Sequence, residues 1–169
     1  MNIFRLHDDV ELCAQYQTNS HLVKMMVEQC QLMSTAHHVA GSRVPKDELY
    51  KATHRNHPSG VWTRESASNY QWLHQLTEAM VEEYGYRYGK VHAVKRTGLL
   101  RRLKNIPRLP DIGPTKQTLA MPEKYHANNP VVAYRNYYVG EKSHLFAWRR
   151  RPMPPWLVQF GFVETEEFL

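Results

Sequence analysis

The chain lacks most signatures that fix a chemistry at sight. It holds no Walker-type phosphate loop, no GxGxxG turn and no GxSxG nucleophile elbow, which argues against a kinase, a dinucleotide enzyme or a serine hydrolase. HExxH and paired CxxC spacings are missing too. Cysteine is scarce, with Cys13 and Cys30 alone, so thiolate ligands are nearly absent. The histidines at His37, His38, His54, His57, His74 and His92 do not follow metal-ligand spacing, and no metal or cofactor is expected. No apolar run reaches the length of a membrane span, and MNIFRLHDDVELC has neither the basic nor the apolar part of a secretory leader. These absences predict a soluble, cytoplasmic protein with buried thiols, not a bridge. Repeats, low-complexity tracts and sustained alternation of apolar and polar residues are also missing. The fold class expected is therefore all-α, one compact domain over residues 1–169 with long Pro-rich loops and an irregular tail at 148–169.

What is present is positive charge and aromatic surface. The formal charge is +6, and the cations cluster at Lys95, Arg96, Arg101, Arg102 and Lys104 and again at Arg149, Arg150 and Arg151. Such clusters favour polyanions, and a solvated basic face is the alternative. Ten tyrosines and four tryptophans add faces that stack on unpaired bases, so the partner expected is DNA, a duplex with an extruded base.

Helical spacing organises the rest. A first long helix spans about Ser20–Val39, closed by Gly41 and Pro45. A short helix is expected at Lys46–Thr53, and then a loop, HRNHPSGVW, broken by Pro58 and Gly60. The second long helix starts near Ser66 or Ser68, with Trp72, Leu73, Leu76, Met80 and Tyr84 on its core face. A third covers His92–Asn105. Prolines make 106–122 irregular, and a last helix runs from the Asn129 cap and Pro130 to Trp148. Residues 2–6 and 159–163 read as short extended pieces.

The first long helix carries the candidate chemistry. His21, Lys24, Glu28, Gln31 and Thr35 fall within an arc of about 80° at 100° per residue, and apolar side chains fill most of the remaining circumference. A helix so apolar is normally buried, so the stripe reads as the wall of a polar cavity; its alternative is a solvent-facing stripe. Glu28 is the leading general acid or base, and with Lys24 it also makes an ordinary i, i+4 ion pair. Lys24 is a candidate Schiff-base nucleophile. His21 and His57 complete the catalytic candidates. Gln31, Trp62, Arg64 and Asn69 are candidate substrate contacts, with Trp62 and Tyr138 stacking on a base and Asn69 reading its edge. Arg87, Arg135 and Lys142 are expected on phosphate oxygens.

The segments SHLVKMMVEQCQLMSTAHH, NHPSGVW, SNYQWL, EYGYRYGKVH, AMPEKY and AYRNYYVGEK resemble a group of small phage-encoded proteins over most of the chain. That group is linked in turn to pyrimidine-dimer DNA glycosylases of the phage endonuclease V type. The resemblance implies an all-α fold on bent duplex DNA, with a Glu of the first long helix assisting sugar chemistry; Glu28 stands at that place. It also likens AYRNYYVGEK to the family's aromatic stretch that approaches damaged DNA. Those enzymes use the α-amine of an N-terminal Thr exposed by removal of Met. Here residue 2 is Asn2, whose size disfavours that removal. The sequence then leaves three options: Lys24 substitutes, Glu28 activates water, or the protein is not a glycosylase. The function expected is base excision, a DNA glycosylase with or without AP lyase activity on a damaged or modified pyrimidine. A base-modifying transferase using the same pocket and a non-catalytic nucleic-acid-binding accessory protein are the alternatives.

Overall fold

The computed structural model describes residues 1–165, and every one of its regular elements is helical. Seven α-helices follow in order: α1 (Val10–Tyr16), α2 (Asn19–Ala40), α3 (Pro58–Glu65), α4 (Ala67–Tyr88), α5 (Ala93–Arg96), α6 (Leu99–Leu103) and α7 (Pro130–Lys142). The two 22-residue helices, α2 and α4, are each about 33 Å long and pack against one another. Both also pack on α3, while α1 lies on α4 and α6 spans both long helices.

Capping explains where the helices start. Thr18 accepts from the backbone N–H of His21 at the head of α2, and Ser66 accepts from that of Asn69 at the head of α4. Asn129 caps α7 with Pro130 behind it, as its sequence predicts. Several expectations are corrected. The 92–105 stretch is two helices, because Gly98 takes a left-handed φ of +79° and turns the chain between α5 and α6. The last helix stops at Lys142 and gives way to a 3-10 turn, Ser143–Leu145, short of Trp148. Lys46–Thr53 holds only one 3-10 turn, Lys46–Glu48. The loop expected at 54–62 is half helix: Pro58 occupies the first position of α3, where its missing N–H costs nothing. Helix α1 was not expected at all. Residues 2–6 and 159–163 form no strand, and Pro155–Phe160 makes a 3-10 turn that buries Trp156 and Leu157. The part of the expected tail beyond 165 lies outside the described residues.

The first six residues pass through the molecule instead of over it. Ile3, Phe4 and Leu6 are buried in the main core with Leu22, Met26, Tyr134 and Tyr138. α7 holds this segment in place: Arg135 Nε donates to the Leu6 carbonyl at 2.9 Å, and Tyr134 Oη donates to Asn2 Oδ1 at 2.9 Å. The chain start is thereby brought against the middle of α2.

Candidate active site

The site is assembled from the chain start, α2 and the cap of α3. Asn2 is its anchor. Its Nδ2 donates to the Ala120 carbonyl at 2.8 Å, and its Oδ1 accepts from the Ile3 N–H at 2.9 Å as well as from Tyr134. Gln117 Nε2 adds a bond to the Ile3 carbonyl at 2.8 Å. With residues 2 and 3 fixed, the α-amino nitrogen of Met1 stands 3.8 Å from Glu28 Oε2. Lys24 Nζ approaches the other oxygen, Oε1, at 3.5 Å from one turn back along α2. One carboxylate therefore faces two amines.

Their surroundings differ. The Lys24 side chain is 72% exposed and that of Glu28 only 17%. The stripe on α2 is accordingly a recess that opens to solvent, not the enclosed wall its apolar neighbours suggest; Val23 beside it is exposed as well. Gln31, one turn beyond Glu28, is half-buried. Thr35 is turned inward, bonded to both backbone groups of Thr53.

His57 lies within electrostatic reach of the Met1 amine and Glu28. As N-cap of α3, its Nδ1 accepts from the Ser59 N–H at 3.1 Å, which leaves the proton of the neutral ring on Nε2. Burial holds its pKa below the usual histidine value, the Met1 amine and His54 press it further down, and Glu28 opposes them. A neutral imidazole within electrostatic reach of the amine and the carboxylate is therefore a donor through Nε2.

The other candidates are dispersed, and for most the reason is burial. His21 stacks on Phe4 at 4.4 Å between centroids and bonds Tyr138 Oη through Nδ1 at 2.9 Å. Its pKa is depressed to about 4, first by burial and then by Lys142, Lys24 and His144, so near neutrality it is a neutral ring and not an imidazolium acid. Tyr138 is wholly buried against Thr18 and His21 and has no free face for a base. Trp62 is buried edge-on to Trp72, with Nε1 donating to the Thr115 carbonyl. Asn69 spends its amide on Trp62 and Thr115, inside the protein. Arg87 is entirely internal: Nε donates to Glu83 at 2.8 Å, and its other nitrogens donate to the Gln15 and Gln17 carbonyls and to Asn19 Oδ1. It organises the α1–α2 junction and is not at the surface for a phosphate. Arg64 braces the loop before α3 by a 2.6 Å bond to the Arg55 carbonyl. Arg135 is half-buried between Leu6 and the ring of Trp156. Lys142, with Nζ 5.4 Å from the Tyr137 ring centroid, remains on the side of the site nearest His21.

What sequence reasoning missed is the Met1 amine itself. The signal was a polar side chain at position 2 ahead of two apolar residues, a place that needs internal partners if Ile3 and Phe4 are buried.

A model of the pyrimidine dimer DNA glycosylase family matches residues 1–97. The chain belongs to that family. No curated protein and no solved structure matches it. In this pyrimidine dimer DNA glycosylase relative the matched stretch contains Met1, Lys24, Glu28 and His57, together with the helices that place them. The resemblance to glycosylases noted in the sequence thus holds at the level of family. DNA is the substrate that the family implies, and the all-α expectation agrees with the fold. Among the described residues no group of histidine, cysteine and carboxylate side chains is placed to hold a metal, and no helix is long and apolar enough to cross a membrane.

Proposed function

We propose that the protein excises a damaged or modified pyrimidine from DNA through an amine nucleophile held at Glu28, followed by an AP lyase step. The 3.8 Å approach of the Met1 α-amine to Glu28 Oε2 carries this reading. An amine attacks only when unprotonated. Ordinary α-amines titrate near pH 8 and ordinary lysines near 10.4, so close to neutrality an α-amine is free roughly several hundred times more often. The exposed Lys24 ammonium keeps its water and suits contact with a phosphate oxygen, while the Met1 side chain is packed away beside the carboxylate.

The reaction follows from these positions. The amine lone pair forms a bond to C1′ of the sugar as the C1′–base bond breaks, and the base departs with that electron pair. To His57 Nε2–H this reading assigns a hydrogen bond to the charge that develops on the departing base. Glu28 takes the proton that the attacking nitrogen loses and returns it to O4′ as the sugar ring opens, which leaves a protonated imine between nitrogen and C1′ and Glu28 again as carboxylate. Removal of a C2′ proton then expels the 3′ phosphate, which nicks the strand, and water hydrolyses the imine to return the free amine. Each step requires one basic oxygen close to the nitrogen, and Glu28 supplies it.

The test is a single-turnover assay on an end-labelled duplex carrying one cyclobutane pyrimidine dimer. The wild-type protein is expected to cleave a glycosidic bond of the dimer, with free base appearing once the cyclobutane ring is photoreversed, and to nick the strand, and Glu28→Gln to bind the same duplex without doing either. A Glu28→Gln variant as active as wild type would end this reading.

A further inference from the structure

The reaction above uses only His57 of the loop that leads into α3. The turn before it, His54 to His57, is fastened at several points. The His57 N–H donates to the His54 carbonyl at 2.9 Å and closes the turn. His54 has a φ of +49°, a left-handed conformation that residues with a Cβ seldom adopt, and its Nδ1 lies 2.8 Å from Thr53 Oγ1. Arg64 Nη2 donates to the Arg55 carbonyl at 2.6 Å. That bond holds the main chain of Arg55 and does not engage its side chain, which is exposed.

Charge in this loop is one-sided. The stretch from Lys51 to Arg64 holds Lys51, Arg55 and Arg64 and no carboxylate. Neither Arg55 nor Arg64 pairs with a carboxylate among the described residues. The two guanidiniums repel one another. Arg64, whose Nη1 is enclosed without a hydrogen-bond partner, has its pKa lowered first by burial and then by Arg55. An anion relieves such a pair, and the edge of a guanidinium fits two phosphate oxygens at once.

Contacts at both ends place the turn beside Glu28. At its start, the Thr53 N–H donates to Thr35 Oγ1 at 3.1 Å, and Thr35 Oγ1 donates to the Thr53 carbonyl at 3.2 Å. Thr35 lies on the Glu28 face of α2, about 20° from Glu28 around the helix and about 10 Å further along it. At its end, His57 is within electrostatic reach of the Met1 amine and Glu28. Lys24 stands on the other side, one turn before Glu28. A strand whose nucleotide sits at Glu28 therefore has an exposed cation to either side.

We propose that Arg55 binds the phosphodiester next to the nucleotide at Glu28, on the side away from Lys24. The inference rests on DNA being the substrate at Glu28, but not on the reaction there.

A cycle between one side chain and one phosphate tests it, read by fluorescence anisotropy across a salt series. Each duplex carries one cyclobutane pyrimidine dimer, with an uncharged methylphosphonate placed in turn at each phosphate that flanks it. The protein is Glu28→Gln, which leaves the lesion intact. Neutralising one of these phosphates is expected to weaken binding about tenfold. Adding Arg55→Ala is expected to weaken the unmodified duplex by a similar factor and to make the slope of log K against log salt shallower by about 1. In the Arg55→Ala protein the same methylphosphonate is expected to cost nothing further. Its urea midpoint should match that of its parent, because Arg64 bonds the main chain of Arg55. Undiminished sensitivity to every flanking phosphate after Arg55→Ala, an unchanged affinity and slope, or no duplex binding would overturn the proposal. The expected cycle without glycosidic cleavage by the wild-type protein supports the Arg55 contact and counts against the reaction.

Discussion

The hydroxyl of Tyr134 donates to the carboxamide oxygen of Asn2 at 2.9 Å, so a residue of α7 fixes the position of the chain start. The same oxygen accepts from Ile3 N–H, and the amide of Asn2 reaches the Ala120 carbonyl. Asn2→Leu, large enough to keep Met1 in place, removes these partners from a buried site and is expected to cost about 1–3 kcal/mol, read by urea denaturation. Base release should fall further than stability does, because the amine loses its anchor. Unchanged activity in a destabilised Asn2→Leu protein would show that Asn2 holds the fold and not the amine.

Glu28→Gln separates chemistry from folding. The Lys24–Glu28 pair is open to solvent on the lysine side and contributes only a few tenths of a kcal/mol, so the melting temperature should barely move. The single-turnover rate is expected to drop about 10²–10⁴-fold. Duplex affinity should hold or rise slightly, since a negative charge is removed.

Arg87 behaves in the opposite way. Its guanidinium is fully enclosed and shares Glu83 with Arg151. Arg87→Met leaves the Gln15 and Gln17 carbonyls short of a donor and weakens the compensation of a buried carboxylate. A loss of about 3–5 kcal/mol in urea denaturation is expected, with no shallower salt slope in DNA binding. A shallower slope with unchanged stability would restore Arg87 as a phosphate contact.

These contrasts show what the sequence could disclose. Local rules worked where one residue type has one use: Ser66 and Asn129 cap, and Pro130 starts a helix, whereas the left-handed turn at Gly98 split a stretch expected as one helix. Pro58 was ambiguous, because the same ring that breaks a helix also favours its first turn. Tyr138, Trp62, Asn69 and Arg87 were read as substrate contacts because aromatic, amide and guanidinium groups recognise DNA and the protein's own backbone by the same bonds. Burial separates the two uses, and burial depends on contacts between residues far apart in sequence. The 134–2 and 115–69 pairings are of that kind. Glu28 and Lys24 were legible since one helix holds both.

Acid should destabilise the fold through its enclosed histidines. His21 titrates near 4 in the folded chain, against an ordinary value of 6.5, because burial disfavours its cation, with Lys142, Lys24 and His144 adding to the effect. His37 is lowered to about 4 chiefly by burial, against an opposing hydrogen bond to the Asn105 backbone. Between about pH 6.5 and 4 the unfolded chain binds more protons than the folded one. Stability is therefore full above that window and declines through it as pH falls, by up to roughly 3 kcal/mol for each histidine. Urea midpoints at about pH 7.5 and about pH 4.5 check this, and equal midpoints would show that these rings are free to charge in the folded state.

Borohydride trapping tests the central claim most directly. The protein is incubated with a dimer-containing duplex and reductant, and the cross-linked peptide is located by mass spectrometry. The account predicts a covalent protein–DNA adduct on the α-amine of the peptide that begins at Met1, absent from Glu28→Gln. An adduct confined to Lys24, or base release with no adduct at all, would contradict it.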